Sequence, residues 1–275
     1  MSSGKRTWVA IAVAAAVVAI AAALWLQSRP PASVAPEVAR SSPQAPAAAP
    51  APAAASEPAI RYPVEPATAE RSAAPLDVAS TLADLFGSRA VQSMFLLDEF
   101  PRRFVASVDN LGRAHATSRL WPVQPTRGRF AVDGADGAGT IGGDNAARYA
   151  PFVTLVEAVD VQRAVAAYTR LYPQFQQAYE DLGYPRGYFN DRLVDVIDLL
   201  LATPEPAAAP KVHLAVQGPV PLQRPWLFYE FDDPALESLS SGQKILLRMG
   251  VPNERRVKAK LAALRGALVA APAAR

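Results

Sequence analysis

The chain has 275 residues, 19% of them charged, with a formal net charge of +3. It has no cysteine, which excludes disulfides, zinc–thiolate and iron–sulfur centres and cysteine nucleophiles. Residues 76–275 hold 22 Lys+Arg against 21 Asp+Glu, so the part able to fold is nearly neutral and no nucleic-acid partner is expected.

Residues 1–7 read as a short cytoplasmic tail carrying Lys5 and Arg6. Trp8 to Leu26 is a run of 19 residues without charge or proline, long enough to cross a bilayer as a helix. Trp8 and Trp25 stand at its ends, where interfacial aromatics belong, and the basic residues before it keep the N-terminus inside. A cleaved signal peptide is the alternative, with Ala21 to Ala23 as small residues for cleavage, but the apolar run exceeds a typical signal core. Residues 27–75 are Ala/Pro-rich, with 11 prolines from Pro30 to Pro75. Such a stretch cannot bury a core and reads as a disordered, semi-extended linker.

From Leu76 onward the periodicity is helical. Leu76, Ala79, Leu82, Leu85 and Phe86 share one face, with Asp77 in the first turn and Gly87 after the end. Asp98 is a cap for a helix through Phe104 and Val108, with Pro101 in its first turn. Residues 111–143 are irregular, with a short strand at Arg129 to Val132. Gly137, Gly139 and Gly142 match G-x-G-x-x-G, but helices follow where a dinucleotide fold needs a parallel strand. Asp133, Asp136 and Asp144 lack calcium-loop spacing. The stretch reads as a flexible glycine turn.

Asp144 or Asn145 is expected to cap a helix with the stripe Tyr149, Phe152, Val153, Val156 and Val159. Asp160 starts another, with Ala164, Tyr168, Leu171, Phe175, Ala178 and Leu182 on one face. Pro173 inside it is expected to kink or split the helix. A further helix, capped by Asn190 or Asp191, turns Leu193, Val196, Ile197 and Leu200 inward. Lys211 to Gln217 and Trp226 to Phe231 alternate as a small antiparallel hairpin. Ser240 and Gln243 form a capping box, Gly250 and Pro252 end that helix, and Asn253 caps the last. The whole describes a mainly α fold over residues 76–270, a multi-helix orthogonal bundle with a minor antiparallel β element, behind an N-terminal transmembrane helix.

Two polar, aromatic clusters are candidates for binding. Asp144, Asn145, Arg148 and Tyr149 open one helix, and plain capping with a salt bridge would explain them equally. Tyr184, Tyr188, Asn190, Asp191 and Arg192, with Arg186, resemble a carbohydrate- or peptide-binding surface, or else packing at a helix connection. The kinked helix would bring both clusters onto one surface. Asp191, Asp195 and Asp198 form a helical row that reads as a solvated face or, less simply, a cation site. Asp144, Asp191 or Glu230 could supply an acid/base pair for glycoside cleavage. His115 and His213 have no neighbouring Ser or Asp pattern suggesting a triad. Arg255, Arg256, Lys258, Lys260 and Arg265 read as a solvated basic helix face, with anionic lipid or wall polymer as a lesser alternative.

The phrases FVASVDNLGRA, DNAARYAPFV, LYPQFQQAYEDLGYPRGYFNDRLVDVIDLL, YEFDDPALESLSSGQKILLRMG and NERRVKAKL resemble an uncharacterised proteobacterial envelope family, domain of unknown function 3014, over roughly Leu76 to Leu268. The resemblance implies one membrane helix, a Pro/Ala-rich linker and this domain. It implies no activity, cofactor or catalytic residue. The combined expectation is a single-pass inner-membrane protein with a periplasmic helical domain. That domain would be a non-enzymatic binding or scaffolding module for an envelope protein or peptidoglycan ligand, without metal or cofactor. The alternative is a cell-wall polymer hydrolase using carboxylate acid/base chemistry.

Overall fold

The computed structural model describes residues 59–64, 77–216 and 222–270. These belong to the second of two compact units, Ser56–Arg275. The membrane helix read at Trp8 to Leu26, its cytoplasmic tail and most of the linker lie outside the described residues. Among the described residues no helix is long and apolar enough to cross a membrane.

The described residues form α1 (Val78–Phe86), α2 (Ser88–Met94), α3 (Phe100–Leu111), β1 (Val132–Ala135), β2 (Ala138–Ile141), α4 (Asp144–Ala158), α5 (Val161–Asp181) and α6 (Phe189–Leu201). They continue with β3 (Lys211–Leu214), β4 (Tyr229–Phe231), α7 (Pro234–Glu237), α8 (Ser241–Met249) and α9 (Val251–Val269). The fold is thus mainly helical with a small antiparallel sheet.

Start signals account for several boundaries. Asp77 caps α1 by accepting from the Ala79 and Ser80 amides, and Asp160 caps α5 through the Arg163 amide. Ser240 and Gln243 form the expected capping box of α8. Other caps differ from expectation. α3 starts from Glu99, in the left-handed region at φ 50°, rather than from Asp98. α4 starts from Gly143, which leaves Asp144 and Asn145 inside the first turn. Pro252 does not end α8 but opens α9, where its missing N–H costs nothing, and Gly250 alone joins the two helices at φ 80° and ψ 148°. Asn253 therefore caps nothing. It is buried in the first turn, and its Nδ2 donates to the carbonyls of Ala146 and Met249.

The core is an aromatic seam between helices. Phe104 of α3 meets Phe175 of α5 at 4.8 Å and Phe189 of α6 at 6.1 Å. The seam continues through Tyr168 and Tyr172 to Tyr188 at the start of α6. Each such pair contributes about 1 kcal/mol beyond its buried area. Leu171 and Val196 of the same helices, with Val153, Leu246 and Val257 of α4, α8 and α9, complete this core. The expected stripe of α5 holds at Leu171, Phe175 and Ala178, but Tyr172 and Tyr179 are also buried and Leu182 is exposed. Pro173 does not split α5, which runs unbroken from Val161 to Asp181.

The sheet is larger than a single hairpin. Its order is β1-β2-β3-β4, all antiparallel, with α4 to α6 inserted between β2 and β3. The glycine-rich stretch read as a flexible turn is the β1–β2 hairpin. Asp136 and Gly137 both have positive φ, 53° and 78°, as a tight primed turn requires. Gly134 faces Gly139 across it, and a Cβ on Gly134 would lie 2.1 Å from the Ala138 carbonyl oxygen. The glycines serve close backbone approach, not a phosphate. A second small core of Ile141, Val212, Phe231 and Leu247 seats the sheet on α8.

Candidate functional site

The start of α4 is spent internally. Asn145 is 1% exposed, and its side chain both accepts from the Ala131 amide at 3.1 Å and donates to the Ala131 carbonyl at 2.7 Å. It also donates to Gly142 and accepts from Arg148. Arg148 reaches the carbonyls of Arg127 and Gly128 and lies over the Tyr149 ring at 5.5 Å. Burial pushes the half-buried Tyr149 phenol above its ordinary range. Asp144 is exposed. These residues pin the loop before β1.

The corner between α5 and α6 is organised differently. Tyr188 is the N-cap of α6 and makes no side-chain cap. The first amides of the helix are instead closed from α5: Phe189 N donates to Gln176 Oε1 at 2.9 Å and Asn190 N to the Tyr172 hydroxyl at 3.4 Å. Asn190 and Asp191, expected to cap, are thereby released for other partners. Those partners come from residues 59–64, inside the stretch read as a free linker. Asp191 accepts two successive amides, Arg61 N at 3.0 Å and Tyr62 N at 2.8 Å. Asn190 is fully buried and donates Nδ2 to the Tyr62 carbonyl at 2.9 Å, while its Oδ1 is held by the Tyr168 hydroxyl at 3.1 Å. The Tyr188 hydroxyl accepts from Val64 N at 2.6 Å and lies 3.3 Å from the Val64 carbonyl. The Arg61 guanidinium meets Asp195 at 2.6 Å and lies 3.8 Å from Asp191. Tyr168 and Tyr172 stay protonated donors, since burial pushes both phenols well above their ordinary range.

Behind this corner lies a charge cluster that sequence reasoning missed. Asp109 of α3 is 4% exposed. It takes Arg192 Nε at 3.0 Å, Arg113 Nη2 at 2.6 Å and the Tyr184 hydroxyl at 3.3 Å. Tyr184 also accepts from Arg113 and stacks on Tyr179 at 4.5 Å. Asp109 has one local partner, Arg113 four residues on, but nothing local marks the other, Arg192, which lies 83 residues away. The segment 59–64 had one signal: Tyr62 is the only aromatic residue between Trp25 and Phe86.

The two clusters are not brought together. No hydrogen bond, ion pair or ring contact joins Asp144–Tyr149 to Tyr184–Arg192 among the described residues. The carboxylate row forms no cation site among the described residues: Asp191 and Asp195 hold Arg61 and Asp198 pairs with Arg265, while the Asp195 and Asp198 side chains stay 45% and 43% exposed on a solvated face. The Arg265 guanidinium holds the Asp198 carboxyl below its usual range. The basic face of α9 is likewise engaged: Arg255 and Lys258 with Glu205, Arg256 with Glu157, Lys260 with the Val159 carbonyl. His213 does have a carboxylate partner, Asp232 at 2.7 Å, on the neighbouring strand β4's exit. Asp144 and Glu230 are exposed on separate elements, α4 and β4. No group of His, Asp or Glu able to hold a metal ion occurs among the described residues. An open depression of about 230 Å³ between α1 and α5, lined by Thr81, Asp84, Leu85, Arg163 and Arg170, touches neither cluster.

Comparison with known proteins gives one family. No curated protein and no solved structure matches the chain. The family described as protein of unknown function (DUF3014) matches residues 100–265, which include α3 to α8, most of α9 and every candidate residue from Asp144 to Arg192. The chain belongs to that family.

Proposed function

We propose that this protein is a single-pass component of the bacterial inner membrane whose helical domain, on the periplasmic side, is a non-enzymatic binding or scaffolding module. Its partner would be an envelope component. The uncharged run from Trp8 to Leu26 behind Lys5 and Arg6 supports the anchor and its orientation. One observation carries the binding reading. Tyr188, Asn190 and Asp191 together engage five main-chain groups of residues 61–64. Side chains that hold another segment's backbone are the equipment of a peptide-binding surface. Asp191, the one hydrolytic candidate in this corner, already accepts two amides and is not poised as an acid or base.

The test is a pull-down with the purified full-length protein against envelope proteins and wall fragments. Retention of a defined envelope protein is expected. Release of soluble fragments from wall polymer would favour hydrolysis instead. A reporter fused after Arg275 that is active only in the cytoplasm would overturn the orientation.

A further inference from the structure

The corner holding residues 59–64 has the properties of a receptor, and those residues have the properties of a ligand. We infer that the Tyr188–Asn190–Asp191–Asp195 corner takes, in trans, a non-helical peptide of basic–aromatic–proline–aliphatic pattern, and that Arg61-Tyr62-Pro63-Val64 is its tethered competitor. The inference rests on the binding reading above and supplies the chemical class of the partner.

The receptor side is oriented by contacts that do not involve the segment. The Asn190 amide is oriented by Tyr168, the α6 terminus is closed by Gln176 and Tyr172, and the Tyr188 ring lies against Tyr172 at 5.5 Å. All of these contacts are made within the domain. A site oriented in advance binds without first ordering itself.

The ligand side explains its own sequence. The amides of positions 61, 62 and 64 and the carbonyls of 62 and 64 are addressed. Position 63, whose nitrogen nothing addresses, is proline, the residue with no N–H to leave unmade. Two successive amides turned onto one carboxylate form the small backbone concavity that favours an anion. Arg61 satisfies the two carboxylates on the receptor, and Val64 packs on the main core. The Arg61 guanidinium also lies over the Tyr62 ring at 5.5 Å, so a partner peptide carries a basic residue first, an aromatic second, proline third, where no amide is addressed, and an aliphatic residue fourth.

The competitor is local. Only residues 65–76 separate Val64 from the start of the domain at Asp77. A tether this short gives an effective concentration in the millimolar range, so even a weak segment stays docked. A partner then sees only the open fraction of sites, and its apparent affinity falls by that fraction.

The experiment measures fluorescence anisotropy of a labelled synthetic peptide of residues 58–66 mixed with full-length protein. In the Arg61→Glu/Val64→Asp chain the tethered segment is disabled and the receptor is untouched. That chain is expected to bind the peptide at least ~10-fold more tightly than wild type. Adding Asp191→Ala should weaken binding at least ~10-fold, and a peptide with glutamate at the Arg61 position should not bind. The inference is overturned if the folded double variant does not bind the peptide, or binds it equally well with Asp191→Ala. Circular dichroism and a cooperative melt establish folding, and if the double variant unfolds, Arg61→Ala is read by the same criteria. An envelope protein captured by the full chain but not displaced by the peptide would leave the binding reading standing and sink this one. Peptide binding without any envelope capture would do the reverse.

Discussion

The start of α4 and the corner before α6 are built from the same residue types and do different work. Both place an asparagine and an aspartate in a helix's first turn, with an arginine and a tyrosine close by in the chain. At α4, Asn145 and Arg148 bond to residues 126–131, at most 22 positions away in the chain. At α6, Asn190 and Asp191 bond to residues 61 and 62, some 130 positions away and outside the region the family covers. The first pins a local loop. The second holds a segment that its Pro/Ala-rich surroundings cannot fold unaided. Polar residues at a helix start thus become a docking surface when the helix's own amides are closed by someone else, here Gln176 and Tyr172.

Substitutions can break this comparison at graded cost. The largest effect is expected from Asp109→Ala, behind the corner. It leaves Arg192, 28% exposed, without its buried partner and should cost about 3 kcal/mol in chemical denaturation. Asn145→Ala orphans the Ala131 amide, while the Ala131 carbonyl keeps the Gly142 amide, and should cost about 2 kcal/mol without changing how residues 59–64 are held. If Asn145→Ala loosened that segment, the two regions would not be independent.

A smaller effect, of opposite sign, is expected at Glu254→Gln. The Glu254 side chain is fully buried, with Lys258 Nζ 3.1 Å from Oε1 but no aligned hydrogen bond to either oxygen. Burial raises its carboxyl above the usual range. The folded chain therefore holds that proton more tightly than the unfolded chain, and stability falls as pH rises from the ordinary carboxylate value through the raised one. Glu254→Gln removes that slope and should stabilise the chain at pH 7 by about 1 kcal/mol. Lys258 is not orphaned by the change, since it also meets Glu205 at 3.1 Å. Melts at pH 4 and pH 7 check the sign. The smallest stability effect belongs to Asp191→Ala, below about 1 kcal/mol, because what it releases is a short surface segment.

Much of the helical frame was legible because its signals are local. The Asp77 and Asp160 caps, the Ser240–Gln243 box and the 3.6-residue stripes of α5 and α6 each sit within a few residues of what they determine. The β1–β2 hairpin was not, because VDGA and AGTI carry glycines for backbone approach in place of alternating apolar residues. Tyr184 to Arg192 stood out by composition, but its two partner sets did not. Asp109 is hidden in the pattern of α3, and Arg61 to Val64 are hidden in a proline-rich stretch. Long-range pairing of this kind leaves no periodicity to read.

Amide hydrogen exchange at Arg61, Tyr62 and Val64 in the full-length protein tests the central claim most directly. These three amides donate to Asp191 and the Tyr188 hydroxyl. They should exchange at least ~10-fold more slowly than in the free peptide of residues 58–66. Asp191→Ala should return Arg61 and Tyr62 to the free-peptide rate while α5 and α6 stay protected. Free-peptide rates in the wild-type chain, or protection unchanged by Asp191→Ala, would contradict the account.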